Sequence, residues 1–175
     1  MSWNIQHRVS NAGSIIPPEK VVRCYRGLGP YTEIYSTLRW RYVPFKEMAS
    51  LLPSTGPVVD FGCGEGIFVN YLALSVASRQ VFGIDQNEIR LARARYAARH
   101  ISNAHFIRGD ALSVDLPPGL QAAVFSDFLH HVSNSMQDQL LERTAAALAP
   151  GGMILIKEVP QEHLLRATWR RLLEF

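Results

Sequence analysis

The chain has 175 residues, 47% of them hydrophobic and 19% charged, which is enough for one domain with a self-sufficient core and too few for two. This balance excludes disordered, collagen-like and coiled-coil chains. No uncharged stretch approaches the about 20 apolar residues of a membrane helix. The first residues lack the apolar run of a secretory signal. The two cysteines, Cys24 and Cys63, stand apart with no CxxC or Cys/His cluster, so neither a disulfide scaffold nor a metal site is expected, and a reducing, cytoplasmic location is.

Residues 1–52 form the first unit, expected as an N-terminal helical arm or lid of one or two helices. The net charge of +3 is concentrated there, with seven Lys/Arg against three acids. So small an excess reads as a solvated face, and nucleic acid is an unlikely partner. The arm is rich in aromatics among its arginines. Tyr31, Tyr35 and Trp40 are candidates to line an apolar acceptor pocket, with ordinary helix packing as the competing reading.

From residue 53 to 175 short β-branched runs alternate with helical patterns, which predicts an α/β fold with a doubly wound, mainly parallel sheet. The expected strands are Pro57 to Phe61, Gln80 to Ile84, Ala104 to Ile107, Ala122 to Ser126 and Met153 to Val159. Helices are expected over Ile67 to Ala77, over Glu88 to Arg99 capped by Asn87, and over Met136 to Leu148 opened by Ser135 and Asp138. Leu112 to Gln121 is Pro-rich and predicts a loop. Gln161 to Glu174 has a helical pattern.

The strongest chemical signal is VVDFGCGEG, Val58 to Gly66. An apolar strand and an acid lead through three alternate glycines into a helix, a floor on which a nucleotide-like cofactor can approach bare backbone. A dinucleotide site would show GxGxxG, but Ile67 stands where its third glycine belongs. Asp85 ends the second strand 19 residues after Gly66, where a carboxylate can accept from both hydroxyls of a ribose. Asp110 follows the third strand, placed for the amino group of an adenine. Three acids at three successive strand ends, Asp60, Asp85 and Asp110, favour an adenosyl cofactor, while a nicotinamide-dependent oxidoreductase stays open as the alternative. Cys63, inside the loop, has no base in sight to activate it and reads as small-residue packing. At the fourth strand tip, Ser126-Asp127-Phe128-Leu129-His130-His131, either His130 or His131 could take an acceptor proton, with a backbone-bonded structural histidine as the bland reading.

VVDFGCGEG, GIDQN, FIRGDAL, AAVFSDFLHHV and LAPGGMILIKEV, in this order and spacing, resemble the ordered motifs of class I S-adenosylmethionine-dependent methyltransferases, the Rossmann-like family. The resemblance covers about residues 57–159 and implies S-adenosyl-L-methionine as cofactor. It implies that Gly62, Cys63, Gly64 and Gly66 line the methionine and ribose, and that Asp60 supports the loop or the methionine ammonium. Asp85 would then take the ribose diol, Gln86 flank the adenine, Asp110 and Ala111 bind its edge, and Ser126 and Asp127 face the cofactor. His130 would face the acceptor.

Many relatives that methylate base-amino groups or glutamine carry an Asn/Asp-Pro-Pro-aromatic tetrad at the fourth strand. This chain has none, and LRWRYVPF is similar to a subgroup found beside lipid and polyketide-like biosynthetic enzymes. A small-molecule or lipid-like acceptor is therefore expected. Members of the family usually continue into two further strands, the C-terminal β-hairpin. The sequence stops at Phe175 before these, so an open edge on the fifth strand is expected, covered by further chain or by a second copy. A cofactor-binding module without turnover is the remaining alternative.

Overall fold

The computed structural model describes residues 18–158. Five parallel strands form one sheet in the order β3-β2-β1-β4-β5. They are β1 Pro57–Phe61, β2 Gln80–Asp85, β3 Ala104–Arg108, β4 Leu120–Ser126 and β5 Leu148–Lys157. The order reverses between β1 and β4, which are direct neighbours, so the carboxyl ends of these two strands diverge into the crevice where open α/β sheets bind ligands.

The central strand shows why the sheet is covered on both faces. Val58, Val59, Asp60 and Phe61 are all buried, as an apolar run in a parallel sheet requires. Val58 joins the core beneath the arm and α4, Ile67–Ser75. Val59 and Phe61 join a second core beneath α6, Asn134–Ala147, where Phe61 and Phe125 stack at 4.7 Å. Helix α5, Glu88–Ala97, packs on the first face, and Asn87 caps it by accepting from the amides of Ile89 and Arg90.

Among the described residues, the arm contains three helices where one or two were expected: α1 Glu19–Tyr25, α2 Pro30–Tyr42 and α3 Phe45–Leu51. It shares the core of the sheet. Val21, Tyr25, Trp40, Phe45 and Met48 are buried with Ile67, Phe68 and Val69. The Tyr25 hydroxyl donates to the Glu65 carbonyl at 2.9 Å while accepting from Asn70 at 2.9 Å.

Two boundaries differ from the sequence pattern for local reasons. Helix α6 begins at Asn134, because Ser133 takes the extended N-cap conformation; Ser135 lies within the first turn and shares a 3.3 Å contact with the Ser133 hydroxyl. Strand β5 begins at Leu148, ahead of Pro150-Gly151-Gly152, which the sheet absorbs as an irregularity between the pairs Leu120–Leu148 and Ala122–Met153. The helical pattern over Gln161 to Glu174 lies outside the described residues, as does the expected end of the fifth strand at Val159. Among the described residues, no helix is long and apolar enough to cross a membrane, and no group of three His, Cys, Asp or Glu could hold a metal ion.

Candidate active site

A cleft of about 420 Å³ opens at the carboxyl ends of β1, β2 and β4, within the size range of small-molecule sites. Its floor is the β1–α4 turn, where Gly62, Cys63 and Gly64 line the cavity. The three glycines serve different ends. At Gly64, with φ +56°, a Cβ would meet nothing nearer than the Arg90 stem at 4.0 Å, so the missing side chain leaves room on the cleft side. At Gly66, with φ +73°, a Cβ would sit 2.5 Å from the Phe106 ring and 3.0 Å from the Ala94 methyl. Gly66 therefore seats α4 and α5 against the sheet and does not line the cavity. It takes over the close-packing task that dinucleotide folds assign to a later glycine.

Cys63 packs its sulfur against Gly83, where an added Cβ would approach to 2.7 Å. Burial, with Asp60 and Asp85 nearby, pushes its thiol well above the ordinary range. A thiol raised in this way is a poor nucleophile, which fits a packing role for the side chain.

Asp85 stands at the tip of β2 with its carboxylate already oriented. Oδ2 accepts from the Gly64 amide and Oδ1 from the Asn87 amide, each at 2.8 Å. Each oxygen keeps further acceptor capacity, as two vicinal hydroxyls require. Gln86 and Ala111 also line the cleft. Asp110 does not: it is exposed at the rim, its Oδ1 accepting from the Leu112 amide at 3.0 Å, and the adjacent wall is made by Gly109 and Ala111. Arg143 of α6 fixes that wall by donating to the carbonyls of Ala111, at 2.9 Å, and Val114.

Asp60 lies beneath the floor, 4% exposed. Burial lifts its carboxyl to about 7, with Arg39 opposing and Asp85 reinforcing the rise. With Arg39, Glu65 and Ser126 it borders a void of about 20 Å³ under the cleft, room for about one water. The Ser126 hydroxyl is buried and makes no hydrogen bond among the described residues.

At the β4 tip, Asp127 has φ +53°, uncommon for a residue other than glycine. Arg39 reaches it from α2 at 3.0 Å, and Lys157 from β5 at 2.6 Å. Burial alone would raise the Asp127 carboxyl, but these two cations outweigh it and hold the group below its usual range.

The histidines separate. His131 lines the cleft. His130 does not; its Nδ1 lies 2.7 Å from Glu158, and its ring rests on that of His131 at 3.9 Å. The aromatics of the arm separate too. Tyr35 lines the cleft. Tyr31 is an exposed ring stacked on Tyr35 at 6.3 Å, with the Arg93 guanidinium 5.5 Å from its centre. Trp40 is a core residue, packed edge-on to Tyr71 at 4.9 Å and against Phe45. Ordinary packing thus accounts for Trp40, which does not line the cleft.

Arg39, Arg90, Phe128 and Val132 line the cleft although the sequence reading did not single them out. A signal existed for Arg39, four residues after Tyr35 and so on the same helix face.

A Gly64 cradle that a side chain would fill, an unbonded buried hydroxyl at Ser126 and an oriented Asp85 together fit an adenosyl cofactor. Fold and cleft define a Rossmann-like, nucleoside-binding enzyme domain. The family model described as a methyltransferase domain matches residues 58–152, more than half of the chain, and the chain belongs to this family, the class I S-adenosylmethionine-dependent methyltransferases, whose cofactor is S-adenosyl-L-methionine. The nicotinamide alternative is set aside by this match.

Among curated relatives, trans-aconitate 2-methyltransferase of Variovorax paradoxus is 36% identical over 124 residues, covering 66% of this chain and 45% of that protein. The enzyme of the same name from Delftia acidovorans is 35% identical over 105 residues, covering 57% and 37%. The chain thus spans less than half the length of these relatives. Phosphoethanolamine N-methyltransferase 1 of Haemonchus contortus, solved with phosphoethanolamine and S-adenosylhomocysteine, superimposes with a TM-score of 0.61 at 23% identity, covering 67% of this chain and 26% of that one. PKMT2 of Rickettsia typhi, solved with AdoHcy, gives 0.56 at 23%, covering 66% and 24%. At this identity these likenesses speak for the fold.

Proposed function

We propose that the chain binds S-adenosyl-L-methionine in the cleft and methylates a small-molecule or lipid-like acceptor seated between Tyr35, Phe128, His131 and Val132. The observation that carries the reading is the pairing of the open Gly64 floor with the oriented Asp85 carboxylate at the topological switch point. The similarity to the trans-aconitate 2-methyltransferases supports a small acceptor.

When bound, S-adenosyl-L-methionine supplies a sulfonium-activated methyl group, whose carbon–sulfur bond breaks with its electron pair left on sulfur. The residues of the chain have four tasks. Asp85 holds the ribose hydroxyls, and Gln86, Gly109 and Ala111 flank the adenine. Asp60, beneath Gly62, balances the methionine ammonium, while Arg39 faces its carboxylate. Tyr35, Phe128 and Val132 exclude water and align the acceptor; such positioning is worth about 7–11 kcal/mol. His131 receives the acceptor's proton on a ring nitrogen. His130, turned toward Glu158, supports the wall and does not touch the acceptor.

Calorimetric titration with S-adenosylhomocysteine and with NAD tests the reading. One site for S-adenosylhomocysteine, weakened about 10- to 100-fold in Asp85→Ala, is the expected result. Binding of NAD alone, or an Asp85→Ala variant with unchanged affinity, overturns it.

A further inference from the structure

Glu158 follows β5 directly and turns its carboxylate across to the tip of β4. Its Oε1 accepts from the amides of Phe128 at 3.0 Å and Leu129 at 2.8 Å, and its Oε2 lies 2.7 Å from His130 Nδ1. One carboxylate thus engages three consecutive residues, with side-chain exposures of 27% for Glu158 and 17% for His130. The other charged groups of the tip satisfy one another: Lys157 and Arg39 take the two oxygens of Asp127.

An ionised carboxylate can only accept hydrogen bonds. The contact at Oε2 therefore puts a hydrogen on His130 Nδ1 and the lone pair of the neutral ring on Nε2. The ring so fixed is the surface on which His131 rests, 3.9 Å between centres at 44°, and His131 faces the cleft. Phe128, the first residue held by Glu158, lines the cleft as well. The same carboxylate thereby sets both a peptide wall and an imidazole plane.

We propose that Glu158 is a positioning residue of the acceptor wall: by locking the His130 tautomer and the amides of Phe128 and Leu129, it aims His131 into the cleft. This rests on the reading of His131 as the group that receives the acceptor's proton. Glu158 itself touches neither cofactor nor acceptor. The oriented-imidazole logic is that of a carboxylate holding one ring nitrogen so that ring plane and tautomer are fixed, with the difference that here the held ring supports a second one.

Glu158→Gln isolates the device. Two amide donors demand an oxygen at the Oε1 position, so the glutamine carbonyl keeps those bonds, while its NH₂ now donates toward His130 and turns the ring to the Nε2–H form. The test is nitrogen-edited NMR of histidine-labelled protein at alkaline pH, with the two rings assigned through His130→Asn and His131→Asn. The expected result is Nδ1–H at His130 in the unmodified chain, Nε2–H in Glu158→Gln, and a shift of the His131 signals in the same variant with the amides of residues 128 and 129 unmoved. An unchanged His130 tautomer, or an inverted one that leaves His131 unmoved, overturns the proposal. The measurement needs neither cofactor nor acceptor. A chain that fails to bind S-adenosylhomocysteine can still show the relay, and a chain that binds it can still lack the relay.

Discussion

Asp60 makes the proposed cofactor site sensitive to pH, and the sign follows from its burial. At 4% exposure the carboxyl is lifted to about 7, so in the free protein it carries a proton about half of the time at neutral pH. Arg39, Asp85 and the neutral Cys63 thiol are the groups around it. A cofactor ammonium needs the ionised form and drives the proton off. Affinity for S-adenosylhomocysteine should therefore fall as pH drops, approaching tenfold per unit well below 7 and amounting to about fiftyfold or about 2.3 kcal/mol between pH 7 and pH 5. Calorimetry in buffers of different ionisation enthalpy reads both quantities: the affinity, and a release of about half a proton on binding at pH 7. In Asp60→Asn the proton release should vanish and the pH slope flatten. A flat profile in the unmodified chain, or an undiminished slope in Asp60→Asn, refutes the assignment. The same shift acts on folding. The native carboxyl holds a proton between about pH 4 and about pH 7 that the unfolded chain has lost, so stability falls as pH rises through that window, by about 4 kcal/mol at most.

The glycines of the floor should separate by experiment. Gly66→Ala combines a left-handed backbone with a clash at Phe106 and should cost about 3 kcal/mol or more in thermal or urea unfolding. Gly64→Ala meets only the Arg90 stem, at an unstrained 4.0 Å, and should cost about 1–2 kcal/mol, yet it should lose most S-adenosylhomocysteine binding. Equal stability losses would contradict this division. Arg143→Met removes both hydrogen bonds to the loop after β3 and should weaken cofactor binding about tenfold, with faster hydrogen exchange at residues 111–114. Unchanged affinity would free the adenine wall from Arg143.

Much of this architecture is legible in the residue pattern because strand ends in a parallel sheet share one edge. Alternating apolar runs fix the five strands, and acids at their ends mark where a ligand would sit. The rule extends to the other edge of the sheet: Asp85 ends β2, and Asp127 and Glu158 directly follow β4 and β5. What the pattern conceals is orientation. Asp110 ends its strand like Asp85 but bends back to the Leu112 amide. Gly66 repeats the spacing of Gly64 yet faces α5. His130 and His131 are adjacent, and one meets Glu158 while the other lines the cleft. Trp40 and Arg39 are neighbours on α2, and one turns into the core while the other meets Asp127. Such choices are made by long-range partners, and no local spacing encodes them.

The decisive measurement is a crystal structure of the chain with S-adenosylhomocysteine. It should show the adenosyl group over Gly64, both ribose hydroxyls on the Asp85 carboxylate and the adenine against Ala111. A ligand bound elsewhere, or an Asp85 that keeps only its bonds to the amides of Gly64 and Asn87, would contradict it.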